Sequence, residues 1–233
     1  MQLVCNSSEI TTKSSLGAKK HTSIGVFGGT FDPVHEGHIL LAEYVLHKEL
    51  VDRILFLPAA RPPHKTSALA PFDHRVAMLR LALAGRSGMS VSTLESRRDG
   101  PSYTVDSLRA LHNEYPESPL SFIVGSDSLL ELHLWHKYTE ILSLADLIVI
   151  SREGIDAGQC ATAIENLPGG YRPVSVAGHN IRQRADGARI LYLSGFTHSV
   201  SSSMIREQLL RGIQPEGLDD NVFSYIRQNH LYA

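Results

Sequence analysis

The chain of 233 residues has two cysteines, one tryptophan and no excess of charge of either sign. Cys5 and Cys160 are far apart and match no zinc-binding spacing, so the composition favours a reduced, cytoplasmic protein. A formal net charge of −2 argues against a nucleic acid as partner. The longest clean apolar run, at 147–150, is far too short to span a bilayer, so no membrane partner is expected.

Several familiar motifs are absent as well. The sequence has no Gly-x4-Gly-Lys-Ser/Thr loop and no Gly-x-Gly-x-x-Gly, so neither an ordinary ATPase nor a Rossmann dehydrogenase is supported. It also has no Gly-x-Ser-x-Gly elbow. Residues 1–21 are polar and lack the apolar core of a secretory signal, so we interpret them as a disordered leader, with a targeting or regulatory arm as the alternative.

Short apolar runs alternate with helical patterns through the rest of the chain. The runs predict strands at 24–27, 54–57, 91–93, 120–124, 147–150 and 190–193. Helical periodicity covers 39–50, 72–84, 104–115, 160–166, 204–210 and 222–228. This alternation predicts an α/β fold, a doubly wound, mostly parallel sheet in one domain over 22–233 that ends in a small helical part, 198–233. For 152–190 we expect one helix, loops and one strand.

The most informative motif is Gly-Gly-Thr-Phe-Asp-Pro-Val-His-Glu-Gly-His at 28–38. It follows an apolar run and precedes a helical pattern, which predicts a strand, a glycine turn and a helix start where a phosphate can bind. We expect Asp32 to cap this helix and Pro33 to lie in its first turn. His35 and His38, three residues apart, share a helical face and can donate hydrogen bonds to phosphoryl oxygens. The alternative is a structural histidine pair.

A second group of phosphate-binding residue types lies at 201–206, with the sequence Ser-Ser-Ser-Met-Ile-Arg. Serines favour a helix N-cap and Gly212 favours a helix stop, so hydroxyls, free N–H groups and Arg206 gather at one helix start. This composition suits a polyphosphate clamp. An ordinary capped helix with a solvated arginine is the alternative.

Four weaker signals remain. Pro-Pro-His-Lys at 62–65 is a rigid turn that presents Lys65. Ser-Tyr-Thr at 102–104 precedes a helix, so Thr104 is expected to cap it. Asp127, just after a strand, could bind a ribose hydroxyl or cap a helix. Trp135 could stack on a base or pyridine, although core packing is the usual role of a tryptophan.

With these motifs the chain resembles the nucleotidyltransferases of the His-x-Gly-His superfamily, and among them the bacterial nicotinate-nucleotide adenylyltransferases. The resemblance runs from residue 24 to 232 and includes the motifs at 28–38, 62–65, 102–104, 125–128 and 201–206. It also includes Trp135 and the terminal pattern of Val222, Tyr225-Ile226 and Leu231-Tyr232. Ser203 stands where the family usually has threonine, and 152–190 looks longer than the family's connection.

The resemblance implies a Rossmann-like nucleotidyltransferase fold and adenylyl transfer from ATP to nicotinate mononucleotide, with Mg²⁺ accompanying ATP. It implies catalytic roles for His35, His38, Arg206 and Lys65. For ATP it implies contacts with Gly28, Gly29, Thr30, Phe31, His35, His38, Gly125, Asp127, Ser201, Ser202, Ser203 and Arg206. For the mononucleotide it implies contacts with Asp32, Lys65, Tyr103, Thr104 and Trp135.

Several alternatives stay open at this point. Nicotinamide mononucleotide differs from the acid by one charge and is hard to exclude as acceptor, as is another phosphate-bearing acceptor. Pantetheine-phosphate adenylyltransferases usually vary the first histidine, and polyol-phosphate cytidylyltransferases carry a different arginine-rich segment. A non-catalytic nucleotide-binding regulator would show a damaged histidine pair or clamp, and both are intact. Oligomeric state is not readable from the sequence, which leaves a homo-oligomer open.

Overall fold

The computed structural model describes residues 22–62, 70–176 and 179–233. The described strands are β1 Ile24–Gly29, β2 Arg53–Pro58, β3 Met89–Val91, β4 Leu120–Gly125, β5 Asp146–Ile150, β6 Arg172–Val176, β7 His179–Gln183 and β8 Arg189–Leu193. The described helices are α1 Glu36–His47, α2 Phe72–Ala82, α3 Thr104–Glu114, α4 Ser126–Glu131, α5 Tyr138–Leu144, α6 Ala157–Glu165, α7 Ser202–Leu210 and α8 Asp220–Gln228. The expected leader, 1–21, lies outside the described residues.

These strands form one sheet in the order β3-β2-β1-β4-β5-β8-β7-β6. The pairs from β3 to β8 are parallel, whereas β7 pairs antiparallel with both β8 and β6. The expected doubly wound, mostly parallel sheet is therefore confirmed. Because the chain winds outward in both directions from β1, a crevice opens where the carboxyl ends of β1 and β4 lie side by side, and ligands bind at such points.

Helices cover both faces of the sheet and bury alternate side chains of each strand. On β1, Phe27 belongs to one apolar cluster, with side chains of α1, α2, α7 and α8. Ile24 and Val26 belong to the other cluster, with side chains of α3, α5 and α6. The strands read as nearly continuous apolar runs because both of their faces are buried. Burial of this kind holds the strand ends, and the loops that follow them, in fixed positions.

The region 152–190 differs from the expectation. Its helix is present as α6, but the segment contributes two strands, β6 and β7, which form an antiparallel pair at the edge of the sheet. Both strands mix polar and apolar residues, so neither produces the apolar run that marks a buried strand. The short helices α4 and α5 also went unpredicted, because six or seven residues are too few for a periodic pattern.

Across the described ranges, none of the helices combines the length and the apolar composition that a membrane span requires.

Candidate active site

The loop after β1 carries the first motif into α1. Helix α1 begins at Glu36, and His35 is its N-cap residue with extended backbone angles, φ −144° and ψ 170°. The helix thus starts later than expected, and Asp32 and Pro33 belong to the loop rather than to the cap and first turn. Phe31 has a positive φ of 51°, and its buried ring packs against the ring of His38 with centroids 5.0 Å apart. The Phe31 side chain therefore helps to hold the His38 ring in place.

The two motif histidines lie against each other at the start of α1. Their ring centroids are 3.8 Å apart. The backbone N–H of His35 donates to Nδ1 of His38 at 3.2 Å, so Nδ1 of His38 acts as an acceptor and the ring proton of the neutral form resides on Nε2. Nδ1 of His35 is buried and has no hydrogen-bond partner among the described residues. In the described contacts, neither Nε2 of His38 nor Nδ1 of His35 is therefore committed to a protein hydrogen bond.

Both imidazoles are neutral at physiological pH. Burial, with the charges of His198 and Arg152, lowers the pKa of His35 to about 4. Burial, followed by the proximity of His35, lowers the pKa of His38 well below its usual range. In the free protein, each ring can therefore offer one N–H to a phosphoryl oxygen without carrying a charge.

Asp32 lies in the interior below this loop, with 1% of its surface exposed. Its Oδ1 accepts hydrogen bonds from the backbone N–H of Ala70 at 3.1 Å and from the hydroxyl of Tyr232 at 2.6 Å. Its Oδ2 lies 3.8 Å from Nη1 of Arg206. A carboxylate in this position faces protein groups, which does not favour the direct mononucleotide contact that the resemblance implied.

The start of α7 is hydrogen-bonded to the same loop. Ser202 donates from Oγ to the carbonyl oxygen of Pro33 at 2.9 Å, and Nη1 of Arg206 donates to the carbonyl oxygen of Asp32 at 2.7 Å. Nη2 of Arg206 also donates to Oγ of Ser203 at 3.1 Å. Ser201 is the N-cap, as the sequence predicted, and accepts from the N–H of Met204. The serine–arginine group and the histidine motif thus meet at one edge of the sheet.

The glycines of the first motif are required by close packing. A Cβ at Gly28 would lie 3.1 Å from the ring of Phe122, and one at Gly29 would lie 2.9 Å from the ring of Phe31. A Cβ at Gly37 would lie 2.8 Å from Nδ1 of His198. These contacts bring the backbone of β1 and α1 close to its neighbours, and they are independent of any close approach by phosphate.

The end of β4 contributes Gly125 and Asp127. A Cβ at Gly125 would meet the exposed carboxylate of Asp127, which would have to move to admit it. Nε of Arg152 lies 4.0 Å from Oδ1 of Asp127, and the N–H of Arg152 donates to Oγ of Ser126 at 2.9 Å. Asp127 is exposed at the carboxyl edge of the sheet, where a ribose hydroxyl can reach it. A cavity of about 590 Å³ lies alongside, lined in part by Arg152, Phe196 and His198.

A group of aromatic side chains follows β3 and α4. The ring of Tyr103 stacks on that of His136 with centroids 4.3 Å apart, and Trp135 packs edge-on against Phe122 at 6.1 Å. The Phe122 ring lies 3.1 Å from where a Cβ of Gly28 would stand, so this group lies beside the first motif. Tyr103 is the N-cap residue of α3, so Thr104 is its first helical residue rather than the cap that we expected. Lys65 lies outside the described residues.

Comparison with known proteins places the chain among its relatives. Residues 26–208 match the family model described as Cytidylyltransferase-like. A Pelobacter propionicus protein named probable nicotinate-nucleotide adenylyltransferase is 36% identical over 212 residues, which cover 90% of this chain and 98% of the relative. A Thermomicrobium roseum protein of the same name is 42% identical over 179 residues, which cover 72% of this chain and 83% of the relative.

The chain belongs to the nicotinate-nucleotide adenylyltransferase family. This confirms the resemblance that was drawn from the motifs. Solved structures agree at the level of the fold. The Plasmodium falciparum nicotinic acid mononucleotide adenylyltransferase complexed with NaAD has a TM-score of 0.70 and 20% identity, over 91% of this chain and 98% of that one. The same protein complexed with APC has a TM-score of 0.68 and 19% identity, with the same coverage.

In this member of the adenylyltransferase family, the site includes three side chains that the sequence did not indicate, those of Arg75, Arg152 and His198, and a fourth, that of Tyr232, which the resemblance included without a role. Arg152 and His198 come from loops that follow β5 and β8, and neither stands in a motif. Tyr232 follows α8 and belongs to the terminal pattern of the resemblance, which assigned it no contact. Arg75 is 2% exposed and donates to the carbonyl oxygens of Thr30, Ala59 and Ala70. Arg75 lies inside the predicted helix 72–84. An arginine in a helix is usually solvated, so only the tertiary structure shows that Arg75 is buried.

Proposed function

We propose that this protein transfers the adenylyl group of ATP to nicotinate mononucleotide, yielding deamido-NAD and pyrophosphate as a step of NAD biosynthesis. The observation that carries the proposal is the meeting of the His35–His38 pair with the start of α7 on a single loop. One triphosphate lying on that loop can contact imidazoles at one end and the serine–arginine group at the other. We take the identity of the substrates from the names of the relatives.

The reaction needs no activated side-chain nucleophile. An oxygen of the mononucleotide 5′-phosphate attacks the α-phosphorus of ATP, a new P–O bond forms, and the bond to the bridging oxygen of pyrophosphate breaks in line with it. Both reacting groups are anionic, so catalysis consists of positioning them and stabilising the charge that develops. No proton has to leave the attacking oxygen.

We assign the parts of the site to parts of the substrates as follows. Nε2–H of His38 and the free ring nitrogen of His35 bind oxygens of the α-phosphoryl group. Arg206 and Ser203 bind the β- and γ-phosphates, with N–H groups at the start of α7, while Ser202 holds this turn to the carbonyl oxygen of Pro33. Asp127 binds the adenosine ribose, and the cavity beside Arg152 has room for part of the adenosine. Tyr103, Thr104 and Trp135 bind the mononucleotide, and Lys65 adds a cation between the substrates.

Mg²⁺ is the divalent ion that we expect to accompany ATP. The described site is built from neutral imidazoles, hydroxyls and arginine, which bind phosphate oxygens. Among the described residues no group of three or more His, Cys, Asp or Glu side chains could hold a metal ion. This donor set fits an ion that keeps its ligands from the triphosphate and water, as Mg²⁺ commonly does. When bound, the ion neutralises charge on the triphosphate.

The test is a reaction of the purified protein with ATP, Mg²⁺ and nicotinate mononucleotide, followed by chromatography of deamido-NAD and by an assay of pyrophosphate. We expect both products in equal amounts, and no pyrophosphate when the mononucleotide is left out. Comparing kcat/KM for nicotinate and nicotinamide mononucleotide identifies the preferred acceptor. Pyrophosphate release without an acceptor, or none with either acceptor, would contradict the proposal.

A further inference from the structure

The hydroxyl of Tyr232 and the carboxylate of Asp32 form a hydrogen bond that lies outside the proposed contacts with substrate. The bond is 2.6 Å long and joins the segment after α8 to the loop after β1. Asp32 is 1% exposed, and burial raises the pKa of Tyr232, so the tyrosine remains a donor at all physiological pH values. A buried anion needs donors, and this carboxylate receives one from a side chain distant in sequence.

The two oxygens of Asp32 have different surroundings. Oδ1 accepts both from Tyr232 and from the N–H of Ala70. Oδ2 has no hydrogen-bond partner among the described residues and lies 3.8 Å from Nη1 of Arg206. The two donors on Oδ1 thus fix the carboxylate in an orientation that turns Oδ2 toward the guanidinium at a distance longer than a hydrogen bond.

This orientation leaves most of Arg206 free. A guanidinium has about five N–H donors. In the described contacts, Arg206 uses Nη1 on the carbonyl oxygen of Asp32 and Nη2 on Oγ of Ser203. The negative charge of the Asp32 carboxylate attracts the guanidinium and holds it in place. It does not occupy the remaining N–H donors, which stay available for phosphate oxygens.

We propose that Tyr232 is a positioning residue which, through Asp32, keeps the Arg206 guanidinium in place to bind the polyphosphate of ATP. Without the hydroxyl, the buried carboxylate keeps only the N–H of Ala70 as donor, and it takes another from Arg206, which lies 3.8 Å from its Oδ2. The guanidinium then turns inward and loses a donor for phosphate. This inference rests on the proposed function only in taking ATP as the polyphosphate ligand.

The experiment compares Tyr232→Phe with Tyr225→Phe. Tyr225 lies in α8, and its hydroxyl is bonded at 2.8 Å to Nδ1 of His74 rather than to Asp32, so this matched control removes one hydroxyl from the same region. Titration calorimetry measures binding of Mg²⁺–ATP and of pyrophosphate, and steady-state kinetics measure KM for each substrate. Melting temperature reports the fold of each variant.

For Tyr232→Phe we expect affinity for ATP and pyrophosphate to fall about tenfold, the usual scale for a hydrogen bond to a charged group. The KM for the mononucleotide should stay within about twofold, and Tyr225→Phe should bind ATP like the wild type. The inference is overturned by unchanged ATP affinity in Tyr232→Phe, by an equal loss in Tyr225→Phe, or by loss of the fold. Calorimetry needs no turnover, so a wild type that binds ATP without transferring it refutes the proposed function alone.

Discussion

At the scale of single residues, the protonation states of His35 and His38 help to set the charge of the site in the free protein. Both rings are neutral because burial, followed by the charge of His198 for His35 and of His35 for His38, lowers their pKa values. A bound phosphate acts against this shift, since an anion raises the pKa of a neighbouring imidazole. Each ring is therefore easier to protonate when a phosphate lies beside it than in the free protein.

Replacing His38 tests its contact with the α-phosphoryl group. His38→Ala removes one transition-state donor, so kcat should fall by about 10²- to 10³-fold, with a smaller change in KM. Rapid-quench and steady-state kinetics measure the effect. His112→Ala is a suitable control, because that imidazole contacts the carbonyl oxygen of Leu144 far along the chain from both motifs. Near-normal turnover in His38→Ala would remove this ring from the chemistry.

Replacing Arg206 tests the polyphosphate contact. Arg206→Ala removes a cation and several donors, so KM for ATP and the dissociation constant for pyrophosphate should rise by about tenfold or more, while KM for the mononucleotide changes little. Arg211→Ala provides the control, since Arg211 follows the same helix and pairs with exposed Glu207. An unchanged ATP titration in Arg206→Ala would contradict the assignment.

The pKa of His35 also makes stability depend on pH. An unfolded histidine titrates near pH 6.5, whereas His35 in the fold titrates near 4. Between these values the unfolded chain binds more protons, so the free energy of unfolding falls as the pH is lowered. The lowered pKa of His35 contributes about 3 kcal/mol to the free energy of unfolding. This contribution is fully present above about pH 6.5 and is lost below about pH 4. His38 acts in the same direction.

Urea unfolding at pH 7.5 and pH 4.5 measures this dependence. In His35→Asn the difference in unfolding free energy between the two pH values should be smaller than in the wild type by about 2 kcal/mol. An equal difference in both proteins would show that another group carries the dependence.

At the scale of elements, the starts of α1 and α7 position the side chains that we propose to bind phosphate. His35 ends the loop after β1 as the cap of α1, and Ser201 caps α7. The sequence predicted the second start correctly, because a serine cap and a glycine stop are local signals. It misplaced the first, because the Asp-Pro pair normally marks a helix start, whereas here the Asp32 side chain turns into the interior to meet Tyr232 and Ala70.

The cap of α7 can be tested alone. Ser201→Ala removes the acceptor for the N–H of Met204, so the unfolding free energy should fall by about 1 kcal/mol. Because the same turn carries Ser202 and Arg206, KM for ATP should rise as well. Ser224→Ala, an exposed position inside α8, should change neither quantity. Denaturant unfolding and ATP kinetics distinguish the two variants, and identical behaviour would argue against the cap.

At the scale of the whole molecule, one sheet connects both apolar clusters. Side chains of β1 enter both, as do side chains of β4, among them Ile123 on one face and Phe122 on the other. The alternation of apolar runs and helical patterns was enough to predict this arrangement. The contacts made by Arg75, Arg152 and Tyr232 were not predictable, because they depend on which loops meet in space and leave no periodic or local signal.

Sharing one sheet should make unfolding cooperative. We propose that residues 22–233 act as a single domain, because neither cluster can separate without exposing the opposite face of the same strands. Scanning calorimetry should therefore give one transition, with calorimetric and van't Hoff enthalpies that agree. Two resolved transitions, or a calorimetric enthalpy well above the van't Hoff value, would indicate two independent units.

The turn between β7 and β8 lies at the amino ends of the parallel strands, opposite the carboxyl ends where the proposed site lies. It is closed by two hydrogen bonds between Arg184 and residues 187 and 188, with a positive φ at Gly187. Strand β8 runs from this turn toward the crevice, so its length of roughly 17 Å separates the two ends. A fluorescent reporter inserted after Asp186 would therefore follow the enzyme inside living cells while leaving nucleotide turnover intact.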